Sequence, residues 1–183
     1  LDRYVYQNSA GDFLDQIKPL LPNLRYARWI RYPVPIVVRG ESHEWITLVT
    51  QGIREWSRYI PLAVVHRPQQ AGIEIIQSQD LQGISGSATP EFFWGEDGSL
   101  QQRVQILISA ASMAEVPTIT RHELGHALGL WGHSPDSSDL MYGGLHAQAT
   151  GGKRILKVAQ IGPRELNTLK RIYEQPTLIG ERL

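Results

Sequence analysis

Residues 122–133 read HELGHALGLWGH, and this stretch constrains the fold more than any other. On an α-helix, residues four apart share a face, so His122 and His126 stand one above the other. His133 lies seven residues past His126. If the helix ran on, it would sit about 10 Å farther along the axis, out of reach of the same point. The three histidines can therefore meet only if the helix stops and the chain turns back. Gly129 suits that stop, because glycine accepts the left-handed conformation that commonly ends a helix.

Two imidazoles at this spacing can hold one Zn²⁺ at about 2.0–2.1 Å each. Glu123, beside the first ligand, lies next to the metal rather than on it. A carboxylate there can accept the proton of a zinc-bound water as it attacks a carbonyl carbon, then pass it to the leaving amine. A third protein ligand is needed, with the fourth position left to water. His133 is favoured for it, with Gly132 allowing a bulge in the turn; Asp136, Asp139 and His146 are the alternatives. The bland reading is a helix whose two histidines are merely neighbours. Gly129, the further histidine and Met141 downstream weigh against it.

At 183 residues the chain suits one domain (1–183) with a sizeable core. Eighteen basic and eighteen acidic residues cancel, so no global field argues for nucleic acid or an anionic membrane as partner. No apolar run approaches the roughly 20 residues that span a bilayer. With no cysteine, any metal site must use His, Asp or Glu, and the compartment stays open. The start at Leu1 has no signal-like segment, as expected of a processed or trimmed form.

Tyr26 to Val38 reads as a strand that Pro33 and Pro35 confine to an edge or to its margins. Trp45, Val49, Ile53, Trp56 and Ile60 form the apolar stripe of a helix ended by Pro61. Leu62–His66 and Ile73–Gln77 are strand candidates. Gln79 to Leu100 is dense in Gly, Ser and acidic residues and reads as a long loop with a short edge strand near Ile84–Ala88. Val104, Ile106 and Ile108 alternate with their neighbours as a further strand. Pro117 opens the motif helix and Pro163 a last one, on which Leu166, Leu169 and Tyr173 share a side. Strands precede most of the helix content, which indicates an α+β fold.

These residues resemble the metzincin zinc peptidases, and within them the matrixins. His122, Glu123, His126 and Gly129 match the metzincin pattern letter for letter, and Ser134–Tyr142 is similar to the matrixin run into its methionine-containing turn. Trp45–Leu62, Ala71–Ile75 and Gly162–Tyr173 resemble weaker matrixin segments, so about residues 28–175 can be laid on the family in order. The resemblance implies a twisted, mixed five-stranded sheet with an active-site helix and a C-terminal helix. It implies an N-terminal part to about residue 129 and a smaller part from about 130. It also implies Tyr142 as a wall of the substrate pocket, Met141 as an apolar floor, and a secreted or extracytoplasmic setting.

Three departures stand out. Gly132 occupies the usual third-ligand position, one residue before His133. The stretch Ile84–Ser109 lacks the histidines of the matrixin structural metal sites, so one zinc ion is expected; calcium at Asp80, Glu91, Glu96 and Asp97 is possible but not predicted, since loop acids are usually solvated. There is no cysteine for latency; Asp2, Asp12 or Asp15 can be imagined on the metal, against the simpler reading of a packed or frayed N-terminus.

The expected function is zinc-dependent endopeptidase activity of a monomer on extended polypeptide. Ile84, Ser85 and Gly86 would offer backbone groups to the substrate by strand addition. His43 and His66 read as structural, and His146 as a pocket-rim residue. The rival readings are a catalytically silent zinc-containing binding module and a narrow-specificity or self-cleaving peptidase.

Overall fold

The computed structural model describes residues 1–182 apart from 80, 82, 83, 111, 144–148, 151, 152 and 155–157. Strand β1 (Val34–Arg39) leads to helix α1 (His43–Trp56), capped where the Ser42 hydroxyl accepts the Trp45 N–H at 3.1 Å. Strands β2 (Leu62–Val64) and β3 (Ile73–Gln77) follow, then the hairpin of β4 (Gly86–Trp94) and β5 (Leu100–Ile108). Helix α2 (Val116–Leu128) carries the first two histidines of the motif. The short strands β6 (Ala149–Thr150) and β7 (Lys153–Arg154) precede helix α3 (Pro163–Glu174). The first five strands form one mixed sheet in the order β2-β1-β3-β5-β4, parallel except for β4 at one edge. This is the α+β class and the mixed five-stranded sheet that the sequence leads one to expect.

Of the two places expected for the prolines, the structure has the margin: Pro33 precedes β1 and Pro35 is its second residue, while β1 pairs with β2 on one side and β3 on the other. Pro35 is tolerated because the β1–β3 ladder starts only at Ile36 opposite Ile73, beyond the missing donor. Pro35 contributes only its carbonyl, which accepts the Gly72 N–H at 2.9 Å. β4 differs from expectation in length, running from Gly86 to Trp94 where only a short edge strand near Ile84–Ala88 is expected within the long loop. Its nine residues pair with β5 from Gly86–Ile108 to Trp94–Leu100. Gly, Ser, Pro and Glu favour no strand by themselves; the long partner supplies the stability, and Pro90 is acceptable on an outer strand.

One core joins the layers. Ile36, Ile73, Ile75, Val104, Ile106 and Ile108 from the sheet are each at most 2% exposed, as are Ile119, Leu124 and Leu128 from α2. Trp45, Val49, Ile53 and Trp56 bury the α1 stripe in the same core. Each such side chain contributes roughly 1.5–3 kcal/mol by leaving water. α1 is locked to α2 where the Trp56 indole N–H donates to the Arg121 carbonyl at 2.9 Å and Arg121 pairs with Glu55 at 3.0 Å.

The N-terminal residues are packed against this body. Phe13 and Ile17 lie in the main core, and the Phe13 N–H donates to Thr168 Oγ1 on α3 at 3.0 Å. The Asn167 amide donates to the carbonyls of Gln7 and Gly11 at 2.9 and 2.6 Å. Asp12 is engaged by Arg171 at 2.9 Å and by the Tyr6 hydroxyl, away from the histidines. Among the described residues no helix is long and apolar enough to cross a membrane.

Candidate metal centre

The end of α2 builds the first half of the site. Gly129 has φ +131°, a conformation that side chains rarely adopt. Its N–H donates to the His126 carbonyl at 2.9 Å, and the Leu130 N–H reaches back to the Gly125 carbonyl at 3.0 Å. This pair of bonds satisfies helix-end carbonyls and reverses the chain, as the sequence requires. The reversal also brings the Leu130 carbonyl against His126, whose Nδ1 lies 2.6 Å away. His122 Nδ1 meets the Leu140 carbonyl at 2.8 Å. Each carbonyl can accept the proton of Nδ1, which puts the ring lone pair on Nε2, the atom a metal would use.

His133 completes the group. Its ring centroid lies 5.4 Å from that of His122 and 4.9 Å from that of His126, and the three ligand atoms all fall within 4.8 Å of one another. Three neutral imidazoles so placed can hold one divalent metal ion, and the donor set suits zinc. The cleft walls and the Lys18 ammonium lower the pKa of His133, burial having the larger effect, which favours the neutral form that a ligand needs. Gly132 serves this turn through space rather than backbone freedom. Its φ is not positive, but a Cβ would press hard into the Gln16 carbonyl oxygen.

The chain from His133 to Met141 folds back beneath the rings. The Ser134 N–H donates to the Met141 carbonyl at 2.8 Å, and Ser134 and Asp139 are joined through their side chains. Arg164 pairs with Asp139 at 3.0 Å, and the buried Glu165 carboxylate accepts the Met141 N–H at 3.1 Å. Met141 is fully buried, and its sulfur fills the place that a Cβ on Gly125 would take. Asp136 accepts hydrogen bonds from Ser138. The alternative ligands Asp136 and Asp139 are thus outside the metal-ligating group, while His146 lies outside the described residues.

Glu123 sits beside the triad, 3% exposed, and burial pushes its carboxyl up to about 8. A cation beside it would favour the ionised form. Its side chain lies against β4: a Cβ on Gly86 would stand 2.6 Å from Glu123 Oε1. Ile84 and Gly86 line the cleft. Ser85 does not; in an extended chain it points to the opposite side, and it is 8% exposed, with its carbonyl accepting the Ser109 N–H at 2.8 Å. Tyr142 is also off the cleft wall, bridged to Ser134, and Gly143 stands there instead, against the His133 ring.

The opposite wall has residues that sequence reading does not single out. Gln16, Lys18 and Leu20 line the cleft with Trp131, which stacks on His126 at 6.0 Å between centroids. Trp131 is foreshadowed by its place inside the motif. Nothing in the pattern of residues 16–20 announces their position, because backbone groups fix it: the Lys18 N–H donates to the Trp131 carbonyl at 3.0 Å. Of the acids considered for calcium, Asp97 caps its own turn, accepting the Ser99 N–H at 3.0 Å, and Asp80 lies outside the described residues.

Fold and site together define an α+β protein with three histidines that could hold one metal ion, set in a cleft beside a sheet edge. Two solved structures of myroilysin share this fold with 14% sequence identity and TM-scores of 0.50 and 0.51. The likeness covers 81% of this chain and 96% and 86% of the two myroilysin chains. No family model and no curated protein matches the sequence.

Proposed function

We propose that this chain is a zinc-dependent endopeptidase of the metzincin type, matrixin-like, with one extra residue before its third ligand. The observation that carries the reading is the convergence of His122, His126 and His133 on one point with Glu123 beside it, in a cleft whose upper wall is a strand edge. The fold shared with myroilysin, a metallopeptidase, supports it at a coarser level.

His122, His126 and His133 would hold the ion, with the Leu140 and Leu130 carbonyls orienting the first two rings. The ion supplies Lewis acidity toward water and toward the carbonyl oxygen of the scissile bond. Glu123 takes the proton from the attacking water and returns it to the departing amine, so that one carboxylate serves both steps. Gly86, Ser87 and Ala88 present the edge of β4 to an extended peptide, which can add to it as a strand. Met141 is the apolar floor under the imidazoles, held from below by Glu165. The site has no thiolate, so metal affinity depends on three imidazoles that stay neutral above the histidine range.

The test is Glu123→Ala in the zinc-loaded chain, assayed on casein and on a peptide library with and without a chelator. The variant should retain its zinc and lose about 10²–10⁴-fold of kcat/KM or more. Turnover that survives the substitution would exclude this role of Glu123. Zinc without any cleavage by the parent chain would point to a binding module instead.

A further inference from the structure

We infer that Lys18 is a specificity-determining residue that reads a carboxylate on the substrate close to the scissile bond. The inference rests on the peptidase reading and adds a substrate class to it: acidic peptides. Lys18 is held in place by its backbone. Its N–H donates to the Trp131 carbonyl, Ile17 beside it is 4% exposed, and Gln16 seats its carbonyl against Gly132. The lysine therefore stands on the same wall as the turn that delivers His133, not on a free arm.

Its side chain is exposed, and none of the ion pairs among the described residues includes it. Apart from the three histidines, Glu123 and Lys18 are the only ionisable side chains among the described residues that line the cleft. Glu123 is occupied with the proton, which leaves Lys18 as the charge available to the substrate. The effect of Lys18 on His133 reports the same proximity. An ammonium in a partly enclosed cleft attracts a carboxylate by a charge-assisted hydrogen bond and repels a cationic residue at that place. The carboxylate can belong to an Asp or Glu side chain or to the end of a peptide chain.

Matched peptides carrying Glu, Gln or Lys at each position up to three residues from the cleaved bond decide the matter, each made with a free and an amidated C-terminus. At one position the parent chain should cleave the Glu peptide roughly three- to fivefold better than its Gln counterpart, the range a single partly exposed charge pair gives. Lys18→Gln should erase that ratio, Lys18→Glu should reverse it in favour of Lys, and salt should compress it. A preference that follows the free C-terminus instead of the side chain would identify the chain end as the source. Zinc content and circular dichroism confirm that the variants are folded. An acid preference unchanged in Lys18→Glu, or none at any position in the parent, overturns the inference. If nothing is cleaved, the peptidase reading fails, and equilibrium binding of the same peptides to the zinc-loaded parent and Lys18→Gln chains still tests Lys18. Equal binding of the Glu and Gln peptides by the parent would then sink it.

Discussion

At Gly86 the absence of a side chain decides where Glu123 can stand. A Cβ there would meet Ile119 Cγ2 at 2.8 Å and the Glu123 side chain at 2.6 and 2.9 Å. Both neighbours are buried on α2, so neither can yield freely. In Gly86→Ala the longer and less constrained carboxylate arm gives way first. The variant should keep stoichiometric zinc, because the three histidines are untouched, yet lose about 10²-fold in kcat/KM from a misplacement of roughly 1 Å. Equal kcat/KM in the variant and parent chains would show that Glu123 has room to spare.

At the scale of elements, sequence and structure agree wherever an apolar period reports burial. β3 has the predicted bounds, Ile73–Gln77, because its residues pack on neighbours from both sides. The stop of α2 at Gly129 is legible for a different reason, since three histidines can converge only if the chain reverses there. β4 is legible only in part: a short edge strand is expected near Ile84–Ala88, but its run on to Trp94 comes from pairing with β5, and Pro90 and Glu91 carry no trace of that. The N-terminal segment is hard to place for a similar reason, because several of its polar anchors (the N–H groups of Gln7, Phe13 and Lys18) are main-chain groups that any residue provides. One of its side-chain anchors does offer a test. Burial alone would raise the Asp12 carboxyl, but the Tyr6 hydroxyl, the Leu14 N–H and Arg171 together hold it below the usual carboxylate value. A depressed folded pKa stabilises above the unfolded value near 3.9 and ceases to do so as pH falls through the folded one. Asp12→Asn should therefore lower stability by no more than about 1 kcal/mol at pH 6, given the exposure of Arg171. That corresponds to about 2–4 °C in Tm. The gap between variant and parent should close below pH ~3. A gap that persists undiminished in acid would assign the loss to packing rather than charge.

For the molecule as a whole, the metal centre ties together parts that are far apart in sequence. His122 and His126 come from α2, His133 from the turn beyond it, and that turn is braced by Gln16 and Lys18 in front and by Glu165 of α3 behind. In the unfolded chain His122 and His126 keep only their local spacing, and His133 has nothing to hold it near them. An ion held by all three would therefore bind the folded state preferentially and stabilise it by mass action, and zinc is the ion to test. With free zinc at about 100 times its dissociation constant, the gain is about 2.7 kcal/mol. For a domain of this length that is about 5–11 °C in Tm, reversed by a chelator. His133→Ala should lose most of the gain and much of the bound zinc, while the metal-free Tm of variant and parent stays close because His133 is the exposed member of the triad. Calorimetry of both chains with zinc and with chelator separates the two effects. A zinc-dependent rise of equal size in His133→Ala would mean that the ion is held without the turn that carries His133.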